Sequence, residues 1–341
     1  MATAAAVAAN PRSRCNGLKA PSFTGYAILV KGIEQMRLSM NTFFCNARHS
    51  PILRIGVAAS GLALLVACSK EGGGSPNQPT PPPAVGSTIV YTAIGASDAN
   101  GVGSSVLCVP FTDCSNGMGY VPVAVRQLRA QGFTVNHLNL GVATAVISRD
   151  FQTLAGQHNH FVAGNFIEQE MPFVQTTATV VTMFAGLNEV NVITAALGDG
   201  AGGSDPNGYM DRQVQTFGTN YATLVTGVKA RAGSPRLIAL NVPNAGALPY
   251  LARATLAQRQ AAQRISAAMT RTVVNVLTSQ NVVVIDLMCD PRSYAASNYS
   301  SDGLHPNDSG YAFMAAEVVR AITTANYPAP QNSCSSMTIV P

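Results

Sequence analysis

From Ser87 onward, short apolar runs rich in β-branched residues recur at Thr88–Ile94, Thr134–Leu140, Thr179–Phe184, Leu237–Val242 and Val282–Leu287. The apolar positions run on rather than alternate, as in strands buried on both faces. Between and after these runs the periodicity changes to that of helices. Met118–Gln131 ends before Gly132, and Asp211–Ala232 ends before Gly233-Ser234-Pro235, a helix stop followed by a turn. In Tyr250–Gln280, the residues Leu251, Leu256, Ile265, Met269, Val273 and Leu277 recur near the helical period. Ser309–Asn326 is predicted to start at Ser309, a good N-cap after Asn307-Asp308. Strands alternating with helices form βαβ units. The prediction is a three-layer α/β/α sandwich around a flavodoxin-like, doubly wound, parallel five-stranded sheet. In such a sheet, sites lie beyond the carboxyl ends of the strands.

The region before Ser87 has a different texture. Arg48 and Arg54 precede the apolar run Ile55–Ala67, which is short for a membrane span and matches the core of an export signal. It ends in Leu65-Val66-Ala67-Cys68, which resembles a bacterial lipobox. The resemblance implies cleavage before Cys68 and diacylation of its thiol, and two acyl chains are enough for stable anchoring. Ser69–Gly86, rich in Gly and Pro, has the composition of a spacer. Ser69, rather than Asp, follows the cysteine, which by resemblance to Gram-negative lipoprotein sorting favours the outer membrane. Residues 1–50 exceed the basic region of a signal peptide, and Met36 and Met40 offer alternative starts. The expected organisation is a leader over 1–67, with an over-extended, disordered start over 1–50. A lipidated cysteine and linker follow over 68–86, then one domain over 87–341, exported and acting as a monomer.

Charge and cysteine usage fit this division. The net charge of +5 is concentrated in residues 1–67, where seven basic residues face the single acid Glu34. The remainder carries 14 basic and 15 acidic residues, which leaves no basic footprint for nucleic acid. Beyond Cys68, the cysteines are Cys108, Cys114, Cys289 and Cys334. An even number in an oxidising compartment predicts two disulfides, with three possible pairings. The favoured pairing is Cys108–Cys114, closing a short loop, with Cys289–Cys334 pinning the C-terminal tail. There is no CxxC pair to suggest a zinc ribbon.

Polar clusters follow the predicted strands. Gly95-Ala96-Ser97-Asp98 comes after the first, Asn139-Leu140-Gly141 after the second and Gly186-Leu187-Asn188-Glu189 after the third. Asp302-Gly303-Leu304-His305 comes after the last. Taken singly, each reads as turn or cap chemistry. In this order and placement they resemble the blocks of the SGNH hydrolases, the superfamily of GDSL lipases and esterases. The likeness runs from Ser87 to about Asn326 and takes in the Asn241-Val242-Pro243-Asn244 loop. Ala96 and Glu189 depart from the usual Asp at their positions. Ala99 stands where an ordinary α/β-hydrolase elbow has its second glycine.

The resemblance implies a serine ester hydrolase working through an acyl-enzyme. Ser97 is the candidate nucleophile, and a serine hydroxyl needs a base to take its proton. His137 falls inside a strand. His158 and His160 share a loop, too few ligands for a metal on their own. His305 is the best base, and Asp302 would orient it. The family assigns the oxyanion donors to the backbone N–H of Ser97, that of Gly141 and the amide of Asn188. No cofactor and no metal are required. The substrate class stays open between lipid acyl esters and the O-acetyl groups of glycans, and a catalytically silent surface-binding lipoprotein is the reading from another class. Phe161, Phe166, Met171 and Phe173 either line an acyl pocket or belong to the core, the commoner outcome at that spacing. The Gly-rich segment within Thr194–Met210 reads as a mobile lid or binding loop.

Overall fold

A computed structural model describes residues 79–341. The leader, the Leu65–Cys68 motif and most of the spacer lie outside the described residues. Five strands form one parallel sheet in the order β2-β1-β3-β4-β5: β1 (Thr88–Ile94), β2 (Thr134–Asn139), β3 (Val180–Phe184), β4 (Arg236–Leu240) and β5 (Val283–Ile285). This is the predicted α/β architecture, with the chain reversing direction across the sheet between β1 and β3.

Alternation along the strands divides the core. Ile89, Tyr91 and Ala93 of β1, with Ile238 and Leu240 of β4, face one layer of helices. That layer contains α2 (Tyr120–Ala130) and α8 (Asp308–Thr323). Ile94, Val181, Met183, Leu237 and Ala239 face the other. There α3 (Arg149–Gln157), α5 (Leu187–Gly198), α6 (Pro206–Ala232) and α7 (Leu256–Met269) pack against them. Both faces are covered, which explains the near-continuous apolar strands. Two further helices are short, α1 (Ser97–Asn100) and α4 (Phe166–Gln169).

Several helix boundaries differ from the sequence reading, each for a local reason. Helix α6 begins at Pro206, not Asp211, because Asp205 caps it by accepting from the Gly208 N–H at 2.8 Å and Pro206 occupies the first turn. Helix α8 is capped by Asn307, not Ser309; its Oδ1 accepts from the N–H groups of Ser309 and Gly310. The single helix predicted over Tyr250–Gln280 is broken. A capping box, Thr255 with Gln258, starts α7. After Met269 the chain widens into a π-turn over Thr270–Val274 and tightens into a 3₁₀ segment over Asn275–Gln280. Thr270 is held there by the loop after β4: its hydroxyl donates to Val242 O at 2.7 Å and accepts from Val242 N–H at 3.0 Å.

The Gly-rich segment within Thr194–Met210 is flanked by helices, and Asp199–Gly203 forms the turn between them. Helix α5 runs through Ala196-Leu197-Gly198, and α6 resumes at Pro206. The four residues weighed for an acyl pocket separate. Phe166 is buried in the core, and Met171 packs where a side chain on Gly227 would stand. Phe173 meets Phe111 edge-on at 5.6 Å, and Phe161 is exposed. Thr80, inside the predicted spacer, accepts from the buried guanidinium of Arg236, which also donates to Ala321 O and Thr324 O. The cysteines pair as Cys108–Cys114 and Cys289–Cys334. Among the described residues no helix is long and apolar enough to cross a membrane.

Candidate active site

Strand β1 delivers the chain to the carboxyl edge of the sheet, and Gly95-Ala96 turns it into α1 with Ser97 at the first helical position. That position leaves a backbone N–H with no intrahelical acceptor. Gly95 fits a tight spot, where a Cβ would come 3.3 Å from that of Ala99. Ser97 is buried to 6% exposure. Its Oγ lies 2.9 Å from His305 Nε2. The other ring nitrogen, Nδ1, lies 2.7 Å from Asp302 Oδ2. The second carboxylate oxygen of Asp302 accepts from Ser300 Oγ and from the N–H groups of Leu304 and His305, at 2.8–2.9 Å.

Electrostatics follow from these contacts. Burial pushes the Asp302 carboxyl up, but the hydrogen bonds from His305 and Leu304 outweigh it and hold the group well below the usual carboxylate range. For His305, burial opposes charge, yet the Asp302 hydrogen bond and the negative fields of Asp98 and Asp302 leave its pKa raised. A carboxylate that stays ionised selects the tautomer with hydrogen on Nδ1 and leaves Nε2 free to accept from serine. Asp98 is buried beside this pair, and desolvation raises its pKa.

The proposed oxyanion donors sit on neighbouring strand ends. The loop after β2 is laced to the serine turn. Asn139 Nδ2 donates to Ala99 O and Asn100 Nδ2 to Gly141 O, both at 2.8 Å. Gly141 leaves no room for a side chain, since a Cβ would stand 2.7 Å from that of Ala99. Its N–H points to Asn139 Oδ1 at 3.1 Å. Asn188 opens α5 and donates one amide hydrogen to Ala145 O at 2.8 Å, leaving the second. Gly186 adopts φ 130°, and a Cβ there would strike Val242. Glu189 accepts from Gly186 N–H at 2.7 Å and from Ile147 N–H, which ties the β3 end to the loop after β2.

Of the remaining histidines, His137 sits half-buried on β2, and burial lowers its pKa. His158 pairs with Asp199 at 2.9 Å, and neither it nor His160 joins the site. One residue was not anticipated. Glu170 is fully buried, and its Oε2 accepts from Gly95 N–H at 3.0 Å, directly beneath the serine turn. Nothing in the sequence sets Glu170 apart from Glu168, two residues before it, which pairs with Arg149. Two small cavities lie at the strand ends near the serine turn. One is lined by Leu187, Pro243, Leu248, Leu304 and Phe313, the other by Ala96, Phe166, Gly186 and Asn188, and Asp98 borders both. Each holds about 20 Å³, roughly room for one water.

Similar folds occur among solved structures. A lipase from a goat rumen metagenome is 17% identical, with a TM-score of 0.47 over 68% of this chain and 97% of its own. An acetylxylan esterase from Geobacillus stearothermophilus is 15% identical, with 0.44 over 70% and 95%. A phospholipase A1 from Streptomyces albidoflavus is 13% identical, with 0.45 over 71% and 100%. No curated protein matches the chain. Residues 93–313 match the GDSL-like Lipase/Acylhydrolase family, a span from the end of β1 to the start of α8 that contains all the strand-end clusters. The chain therefore belongs to the GDSL-like lipase/acylhydrolase family and is a hydrolase of ester bonds.

Proposed function

We propose that the protein hydrolyses carboxylic esters through an acyl-enzyme on Ser97. The observation that carries this reading is the unbroken relay from Ser97 Oγ to His305 Nε2 and from His305 Nδ1 to Asp302. Ser97 Oγ attacks the ester carbonyl carbon while its proton passes to His305 Nε2. Asp302 holds the ring in register and stabilises the imidazolium. The N–H groups of Ser97 and Gly141 and the free amide hydrogen of Asn188 receive the oxyanion. The N–H of Gly141 turns to it from Asn139 Oδ1. Collapse expels the alcohol, which takes the proton from His305. Water then repeats the sequence, releasing the acid and restoring Ser97. The chemistry uses no cofactor.

The ester is either a lipid acyl ester or a glycan O-acetyl group. A chain-length series of p-nitrophenyl esters, assayed beside an acetylated polysaccharide, separates the two. Activity rising beyond eight carbons points to the lipid ester, and release of acetate from the polysaccharide points to the glycan. A fluorophosphonate probe separates enzyme from silent binder, since a silent protein does not react at Ser97.

The lipobox Leu65–Cys68 and the spacer after it support a lipid anchor in the bacterial envelope, in the outer membrane. The two disulfides fit an oxidising compartment. Peptide mapping of the mature, membrane-bound protein tests the anchor. Recovery of peptides from residues 1–67 rules it out.

A further inference from the structure

Ser97 and His305 come from opposite ends of the domain, so something must fix their separation. After α1 the chain does not leave the site. Val102 N–H donates to Ser97 O at 3.1 Å, and Tyr311 on α8 donates its hydroxyl to Val102 O at 2.7 Å. Gly103, at φ 90°, lies against the base: a Cβ there would stand 2.8 Å from His305 Cβ and 2.9 Å from Pro306 O. Two residues on, Ser105 meets Asp308 twice. Its N–H donates to Asp308 Oδ1 at 2.8 Å and its hydroxyl to Oδ2 at 2.6 Å. Asp308 opens α8, three residues after His305.

From this geometry we propose that Ser105 and Asp308 form a clamp that sets the nucleophile-to-base distance, both acting as positioning residues through Ser97 and His305. Neither residue touches the reacting atoms. Their two charge-assisted bonds join the segment that trails Ser97 to the segment that follows His305. The Tyr311–Val102 bond and the close fit of Gly103 hold the same two segments nearer the triad. The contact is solvent-exposed, so it contributes little to global stability. Geometry is another matter. A misplacement of about 1 Å in a reacting pair costs on the order of a hundred-fold in rate. The charge on Asp308 is not itself required, because Asn would keep an oxygen to accept from Ser105 N–H.

The clamp rests on the Ser97–His305 reading, and one experiment distinguishes the two. Wild type, Ser105→Ala, Asp308→Ala, the double variant and Asp308→Asn are titrated with a fluorophosphonate, and the label is mapped. Turnover of a short p-nitrophenyl ester is then expressed per labelled site. Ser105→Ala and Asp308→Ala are each expected to lower kcat about ten-fold with KM within two-fold. The double variant should lose no more than the worse single variant, and Asp308→Asn should recover part of the rate. A residue that merely supports the fold would lower the number of labelled sites and leave turnover per site unchanged. Turnover per site within two-fold of wild type in both single variants overturns the clamp, while labelling of wild type at Ser97 leaves the triad standing. No labelling of wild type at Ser97 removes the triad, and the clamp with it.

Discussion

Ser97 Oγ and His305 Nε2 stand 2.9 Å apart across 208 residues of sequence. That distance is within reach for direct proton transfer, with no intervening water. Replacing either partner by Ala should lower ester turnover by at least roughly 10⁴-fold, because nucleophile and base act as a unit. The same variants should keep the far-UV spectrum and unfolding midpoint of wild type, since neither side chain is part of the core clusters. Turnover above a tenth of wild type in either variant contradicts the assignment.

The pH dependence has a worked sign. Only neutral His305 can accept the proton from Ser97, and its pKa is raised above the ordinary 6.5. The acid limb of kcat/KM should therefore lie above pH 6.5. Asp302→Asn removes a cause of that rise, so the limb should move to lower pH while kcat falls by roughly 10⁴-fold through loss of the correct tautomer. The limb is not acid unfolding. Asp302 has a depressed pKa, so the stability it contributes is present above the ordinary carboxylate value and is lost only as pH falls through the lower folded one.

Asn188→Ala tests the oxyanion assignment. Loss of one donor typically costs about 2.7–4 kcal/mol in the transition state, or a hundred-fold or more in kcat. The effect should appear in kcat rather than KM, because the donor acts on charge that develops during reaction. An equal loss in ground-state affinity would instead place Asn188 in substrate binding.

Much of this site is legible in the sequence because each reacting group follows a strand. Ser97, Gly141 and Asn188 come straight after β1, β2 and β3, and the edge of a doubly wound sheet gathers them. What holds them is not legible. Glu170 serves Gly95 across 75 residues, and Asn139 serves Ala99 across 40. Such bonds have no period and no fixed spacing. The break after Met269 was hidden for a related reason. Val273 in the π-turn and Leu277 in the 3₁₀ segment are both buried, so the apolar rhythm continues where the helix does not. Helix α5 was obscured by its own composition: β-branched Val190, Val192 and Ile193 lead into a Gly-rich end.

Glu189 makes stability depend on pH in the less common direction for an acid. Burial raises its pKa from 4.5 to about 7 despite the N–H groups it accepts from. The folded state therefore holds this proton more tightly than the unfolded one. The stabilisation is full below pH 4.5 and is lost as pH rises through about 7. Glu170, pushed well up by burial, adds in the same sense. The unfolding midpoint of wild type should fall between pH 5 and 8, and Glu189→Gln should flatten that fall. An identical slope in the variant contradicts the account. Glu189→Ala should cost about 3 kcal/mol or more at any pH, because two buried N–H groups lose their acceptor.

The two disulfides should separate stability from activity. Cys289–Cys334 closes a loop of 45 residues, for which chain entropy predicts about 4 kcal/mol. Cys108–Cys114 spans six, for about 2 kcal/mol. The longer cross-link secures a tail that otherwise rests on scattered contacts. Asn244 Nδ2 donates to Thr338 O, Gln263 exchanges hydrogen bonds with Val340, and Met337 packs on Met288. The shorter one lies nearer the serine. Cys108 N–H donates to Asn100 O at the end of α1, and Phe111 N–H donates to Asn139 O at the end of β2. Asn100 and Asn139 are the residues that lace the serine turn to Gly141. Replacing Cys289 and Cys334 by Ser should therefore lower the unfolding midpoint more while sparing kcat. Replacing Cys108 and Cys114 should lower kcat more for a smaller loss of stability. Denaturant unfolding of the two double variants, with ester turnover on the same samples, decides the matter, and the reverse ranking in either measurement contradicts it.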